Sequence, residues 1–253
     1  MIPTSGDVET AIPGESSATW EGDAVIRVRG LTKVYRQGEL QVHALRGVDL
    51  DVAYGEFTAV TGPSGSGKTT LLNMMGALDQ PTEGSVVVSG HDASGMTGGA
   101  AADFRLDHVG FVFQAYNLIP VLSAYENAEF TLLLRGLPAD ERRAVVEPLL
   151  ERVGLGDMMD RKPPELSGGQ QQRVAVVRAL ATHPDVVLAD EPTANLDSGT
   201  SGELLDLMLE LNREMGITFV FSTHDETVIE RARRVVRLLD GQVGSIDVRA
   251  PAG

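Results

Sequence analysis

Apolar residues in this chain cluster in short β-branched runs divided by glycine, and they take on helical spacing mainly in its middle third. Phe57–Thr61 predicts a buried strand that ends in glycines. Further strands are expected at Ser85–Val88, Val109–Phe113, Val186–Ala189, Ile217–Ser222 and Val235–Leu239. Val25–Arg29 alternates apolar with charged positions and predicts an edge-type strand. The turn residues of Pro81–Gly84 and Asp240-Gly241 bound such strands. After Lys68, an apolar stripe of Leu71, Leu72, Met74 and Met75 suits a helix packed on a sheet.

Between about 115 and 182 the pattern turns helical. Ser123 with Glu126 has capping-box spacing ahead of Phe130, Leu132, Leu133 and Leu134. A second helical run covers about 140–153, and a third follows Ser167, reading as a helix around Arg173 to Leu180. Pro163-Pro164 separates these two, because proline has no N–H to continue a helical ladder. The expected class is an α/β core interrupted by a helical insertion.

Composition narrows the chemistry. Against 21 Lys plus Arg stand 36 Asp plus Glu, and the net charge of −15 argues against a nucleic-acid partner. Zero cysteines exclude thiolate zinc sites, iron–sulfur ligation, disulfides and a cysteine nucleophile. No apolar run reaches the roughly 18–20 residues of a membrane-spanning helix. The opening Met1, Ile2, Pro3, Thr4 lacks the charged and apolar regions of a signal peptide, so the cytoplasm is the expected compartment. Residues 1–23 hold Asp7, Glu9, Glu15, Glu21 and Asp23 with no base, and read as a disordered acidic tail.

One stretch carries phosphate chemistry. Gly62, Pro63, Ser64, Gly65, Ser66, Gly67, Lys68, Thr69 and the following Thr70 form a P-loop pattern, set between a strand and a helix as that motif demands. Glycines let backbone N–H groups converge on phosphates, and the helix start adds its positive end. Lys68 is expected on the β- and γ-phosphates and the Thr69 hydroxyl on Mg²⁺. The apolar run Val186–Ala189 ends in Asp190 and Glu191, which places two carboxylates at the ligand-binding edge of an α/β sheet. Asp190 is expected in the Mg²⁺ shell, and Glu191 as the general base for the attacking water. His224, after another apolar strand, is placed to contact the γ-phosphate or that water, or else simply starts a helix. Asp225 suits an N-cap.

With Leu166-Ser167-Gly168-Gly169-Gln170 added, the chain resembles the nucleotide-binding subunits of ABC transporters over about residues 25–247. Ser167-Gly168-Gly169 makes a second anion-binding helix start. The resemblance implies that Ser167, Gly168, Gly169 and Gln170 bind the γ-phosphate of ATP held on an opposite subunit, in a head-to-tail homodimer with ATP at the interface. It implies further that Tyr35 stacks on adenine and that Gln114 senses Mg²⁺ and water. Asp197 then links the two active sites, and His224 is the switch histidine. The implied fold is a P-loop NTPase core of the ABC type, with an antiparallel β subdomain and a helical signature subdomain. The boundaries expected are 24–114 and 183–250 for core and β subdomain, and 115–182 for the helical part.

Within that family, Val42–Val48, Asn73–Asp79 with Pro81–Gly84, and Phe113–Pro120 resemble the lipoprotein-release, macrolide-export and cell-division permease ATPases. This implies ATP hydrolysis coupled to integral membrane permease subunits, contacted through Ala115–Asn127, with Tyr116, Leu118, Ile119, Leu122 and Tyr125 as apolar anchors. The chain would sit on the inner face of the cell membrane. The alternative is a soluble ABC ATPase of translation or DNA maintenance, against which stand the single cassette and the about 100 cysteine-free residues between P-loop and signature.

Overall fold

The computed structural model describes residues 24–38 and 40–249, so the acidic tail expected at 1–23 lies outside the described residues. A mixed six-stranded sheet organises the molecule. It is built from β3 (Phe57–Thr61), β6 (Val109–Phe113), β7 (Val186–Asp190), β8 (Thr218–Ser222), β9 (Arg234–Leu239) and β10 (Gln242–Val248), in the order β10-β9-β3-β8-β7-β6. Apart from the antiparallel hairpin strand β10, all neighbours run parallel. Asp240 and Gly241, both at positive φ, close that hairpin as the sequence suggests.

Strands buried on both faces feed two cores with alternate residues. Val186 and Leu188 of β7 face one apolar cluster, shared with α1 (Lys68–Met75) and a second sheet. Val187 and Ala189 face the other, shared with α5 (Gly168–Leu180) and α6 (Ser198–Met215). The second sheet is antiparallel, with β1 (Ala24–Gln37), β2 (Leu40–Ala53), β4 (Glu83–Val88) and β5 (His91–Asp92) in the order β2-β1-β4-β5. Here the edge-strand expectation for Val25–Arg29 is corrected, since β1 pairs on both sides. Its alternation reports one wet face: Ile26 and Val28 are buried, whereas Arg27 and Arg29 are exposed.

The insertion is helical as expected. It contains α3 (Ala124–Leu134), α4 (Ala139–Arg152) and short 3₁₀ turns at Gly156–Met158 and Pro163–Glu165, and it closes with α5. The Ser123/Glu126 capping box is present at the start of α3. A third cluster, including Ala128, Leu132, Val146, Leu150 and Val174, joins these helices. The helix after Ser167 begins at Gly168 rather than near Arg173. Five further elements have no counterpart in the predicted pattern: β2, β5, β10, α2 (Gly98–His108) and α6.

Candidate functional site

Parallel strands all end at one edge of a sheet, so the loops that follow them share a surface. Registers Val60↔Ser222, Asp190↔Ser222 and Phe113↔Asp190 bring Gly62, His224, Glu191 and Gln114 to that edge. The loop from Gly62 to Gly67 leaves β3 and enters α1 at Lys68. A Cβ on Gly62 would overlap the Leu238 carbonyl, so only glycine fits there. Gly67 caps α1 at φ 102°, and no side chain caps the N–H groups behind it. The Lys68 ammonium, on a side chain 8 % exposed, donates to the carbonyls of Gly62 at 2.8 Å and Pro63 at 3.2 Å. Ser66 Oγ is buried with no partner among the described residues. Pro63, Ser64 and Gly65 form the exposed outer rim.

The Thr69 hydroxyl donates to Asp190 Oδ1 at 3.0 Å. These hard oxygen groups beside a phosphate loop fit Mg²⁺, which takes one or two carboxylates and completes its shell with phosphate and water oxygens. No group of three or more His, Cys, Asp or Glu among the described residues is arranged to hold a metal unaided. Tyr35 lies nearby and is 38 % exposed, and its hydroxyl donates to Asp79 Oδ2 at 2.9 Å. Burial and the hydrogen bond to Asp79 raise its pKa, against an opposing contact with the Thr70 hydroxyl.

Glu191 follows β7 in a left-handed conformation, φ 47°, which a non-glycine residue adopts at a cost of about 1–2 kcal/mol. Its N–H donates to the Ser222 carbonyl at 2.8 Å, so the neighbouring strand fixes the turn. Glu191 Oε1 lies 2.8 Å from His224 Nδ1, and the Thr223 hydroxyl donates to Oε2 at 3.3 Å. The Glu191 side chain is 17 % exposed and the His224 side chain 75 %, which leaves a wet ring in front of a sheltered carboxylate. Asp225, not His224, starts the next helix, α7 (Glu226–Arg231). It accepts from the Thr227 N–H and from the Thr193 hydroxyl at 2.7 Å. Burial alone would raise the Asp225 pKa, but the hydrogen bonds from Thr227 and Thr193 prevail and hold it below the usual carboxylate range.

Gln114 is exposed beyond the end of β6. Two residues that sequence reasoning missed hold its surroundings. Gln172 of α5, fully buried, donates to the carbonyls of Phe113 at 3.3 Å and Pro192 at 2.8 Å, and Asn195 donates to the Gln114 carbonyl at 2.8 Å. The only sequence signal for Gln172 is a glutamine on an otherwise apolar helix face.

The signature segment stands apart from this cluster. Ser167 Oγ accepts the Gln170 N–H at 3.3 Å, and Gln170 Oε1 accepts the Ser167 N–H at 2.9 Å, a reciprocal capping box. Gly168 and Gly169 are therefore the first helical turn. A Cβ on Gly168 would sit 2.7 Å from the Tyr116 hydroxyl oxygen. Asp197 caps α6, accepting from the Thr200 N–H at 3.0 Å and from its hydroxyl at 2.6 Å, which hold its pKa below the usual range. Among the described residues, no hydrogen bond joins Ser167–Gln170 to the P-loop of the same chain.

The family model described as ABC transporter matches residues 45–194. An uncharacterised ABC transporter ATP-binding protein of Thermotoga maritima is 47 % identical over 225 residues, covering 89 % of this chain and 96 % of its own. The macrolide export ATP-binding/permease protein MacB 1 of Aeromonas hydrophila is 46 % identical over 229 residues. That match covers 90 % of this chain but 35 % of the relative, so the chain spans about a third of the length of that protein. Among solved structures, the ATP-binding cassette MJ0796, a dimer in a post-hydrolysis state bound to ADP and Pi, superposes with a TM-score of 0.82. It is 41 % identical, and the match covers 90 % of this chain and all of that one.

Proposed function

The chain belongs to the ABC transporter family, with the P-loop ABC ATPase fold and its helical and antiparallel β subdomains, and from that premise we propose that it hydrolyses ATP to drive a separate membrane permease. The observation that carries the reading is the convergence, at one sheet edge, of the Glu191–His224 pair, the Thr69–Asp190 pair and the Lys68 ammonium. Glu191 accepts a proton from a water positioned with His224 and Gln114. The water oxygen attacks the γ-phosphorus in line, and the β,γ-bridging oxygen leaves with ADP. Lys68 leaves its two loop carbonyls for the phosphate oxygens, where it offsets the charge that develops on them. Mg²⁺, when bound by Thr69, Asp190 and Gln114, neutralises phosphate charge. Tyr35 stacks on adenine.

One chain offers one P-loop and one signature, and the two do not meet within it. We therefore read the active assembly as a head-to-tail homodimer in which each Ser167–Gln170 helix start closes on the partner's ATP, with Asp197 at the joint. The dimeric solved relative with ADP and Pi supports this arrangement. No helix among the described residues is long and apolar enough to cross a membrane, so the spanning part belongs to another polypeptide segment. Ala115–Asn127 is the proposed contact with it. Leu118 and Tyr125 pack into the helical cluster, whereas Val121 is 70 % exposed and available to a partner. Kinship with macrolide-export proteins supports a few-span permease of the macrolide-export or lipoprotein-release type, with this chain on the inner face of the membrane.

The deciding experiment is Mg²⁺-dependent ATP hydrolysis by membranes carrying this chain with its candidate permease, beside a Glu191→Gln control. Permease-stimulated hydrolysis that falls on the order of 10²–10⁴-fold in E191Q supports both the coupling and the base. Full activity without a permease, unchanged on adding one, would favour a soluble ATPase. Activity surviving in E191Q would remove Glu191 as the base.

A further inference from the structure

Immediately after Gln114 the backbone turns through two consecutive left-handed residues, Tyr116 at φ 20° and Asn117 at φ 51°, neither of them glycine. The Asn117 N–H closes the turn on the Ala115 carbonyl. Such a conformation persists only where its surroundings enforce it. Here the enforcing group comes from another element: Arg178, in the last turn of α5, donates Nη1 to the Asn117 carbonyl at 2.5 Å and Nη2 to the Tyr116 carbonyl at 2.9 Å. A planar guanidinium presents two donors to adjacent carbonyls in one rigid fork, whereas a lysine ammonium reaches such carbonyls only as a compact charge on a flexible stem.

The setting of Arg178 is unusual for a cation. Burial lowers its pKa, and no carboxylate among the described residues acts to raise it. A sheltered charge without an acid is retained only if its donors are well used, and the two carbonyls are what use them. The same turn also touches the opposite end of α5, because the Tyr116 hydroxyl packs against Gly168 in the signature. The contacts at residues 168 and 178 are about 15 Å apart along the helix. The Arg178 carbonyl accepts from the Thr131 hydroxyl at 3.3 Å, which ties this end of α5 to α3.

We propose that Arg178 is a positioning residue that clamps the turn Ala115–Asn117 to the signature helix, so that displacement of the turn by a permease moves Ser167–Gln170 with it. The proposal deepens the reading above and rests on it. The turn lies within the proposed permease contact and adjoins Gln114, so loosening it should slow turnover without altering ATP affinity.

The test compares wild type, Arg178→Met and Arg178→Lys by amide hydrogen exchange on the purified chain and by steady-state hydrolysis with the permease. R178M is expected to raise exchange over Ala115–Leu118 about tenfold while the α5 amides stay protected. It should lower kcat about five- to tenfold at unchanged KM for ATP. R178K, which keeps the charge without the planar fork, should fall between the two. Unchanged exchange over Ala115–Leu118 would overturn the clamp. So would a rise spread evenly over α3, α4 and α5 with R178K no better than R178M, because that is the signature of general structural support. If R178M does not fold, the R178K–wild-type difference over Ala115–Leu118 decides alone. A wild-type chain that fails to hydrolyse ATP would sink the ATPase reading, yet the exchange measurement would still judge the clamp.

Discussion

Two helix starts in this molecule are capped in opposite ways. At α1, Gly67 supplies no side-chain cap and Ser66 Oγ is buried without a partner among the described residues, so the first turn has donors still to satisfy. At α5, Ser167 and Gln170 satisfy each other reciprocally. Every helix leaves N–H groups unpaired at its start, and something must meet them. The α1 turn is left open to a group from outside, as the proposed phosphate site requires, whereas the α5 turn is capped from within the chain. On the proposed function, this difference lets one chain present a phosphate cradle at α1 and a separate exposed helix start at α5 without the two closing on each other.

The largest effect expected from this contrast concerns ligand-dependent stability. A ligand at 100 times its Kd stabilises the native state by about 2.7 kcal/mol, and at roughly 2–4 °C per kcal/mol for a chain of this size that is about 5–10 °C in Tm. Thermal unfolding with and without ATP should show this shift in the wild type, and Lys68→Met should erase most of it. Hydrolysis by K68M should fall roughly 10²–10³-fold. A K68M chain with the full ATP shift would show that the α1 start does not need its lysine, and the contrast would lose its functional half.

A smaller effect separates the two serines. Ser167→Ala removes a satisfied cap and should cost about 1 kcal/mol, or roughly 2–4 °C. Ser66→Ala removes an orphaned hydroxyl, so unliganded stability should stay within about 0.5 kcal/mol of wild type, while the ATP-induced shift shrinks. Equal losses of unliganded stability in the two variants would mean that Ser66 is satisfied after all and that the two starts do not differ.

Much of this contrast was legible in the sequence, and its limits are physical. The P-loop, Asp190-Glu191 and the strands behind them stand out because buried parallel strands are unbroken apolar runs, and because the loop needs glycine at fixed places. Ser167-Gly168-Gly169 marked a helix start, although the two glycines hid the fact that the helix begins at once at Gly168. By contrast, α2 buries only Ala101 and Phe104 and offered almost no stripe. The stripe of α6, with Leu204, Leu205, Met208 and Leu211, was present and went unread. The partners of Gln172, Asn195 and Arg178 were not legible, even where, as at Gln172, a glutamine on an apolar helix face was. These partners are backbone carbonyls, which every residue has, and only the chain's crossing selects which ones are met.

The smallest expected effect sharpens the comparison with a third helix start, that of α6. Its cap, Asp197, is charged and exposed, and the Thr200 hydroxyl and then the Thr200 N–H hold its pKa below the ordinary value. A carboxylate depressed in the folded state contributes stability that is fully present above the unfolded pKa, near 3.9, and is lost as pH falls through the folded value. The stability gap between wild type and Asp197→Ala should therefore be constant from about pH 5 to 7 and shrink below the unfolded pKa. Serine does not titrate in this range, so the gap for Ser167→Ala should stay flat over the same span. Urea unfolding of the three proteins at a series of pH values measures both gaps. If the D197A gap persisted undiminished at pH 3, the charge would contribute nothing to that cap. The α5 and α6 starts would then be the same device, leaving α1 alone as the start completed from outside.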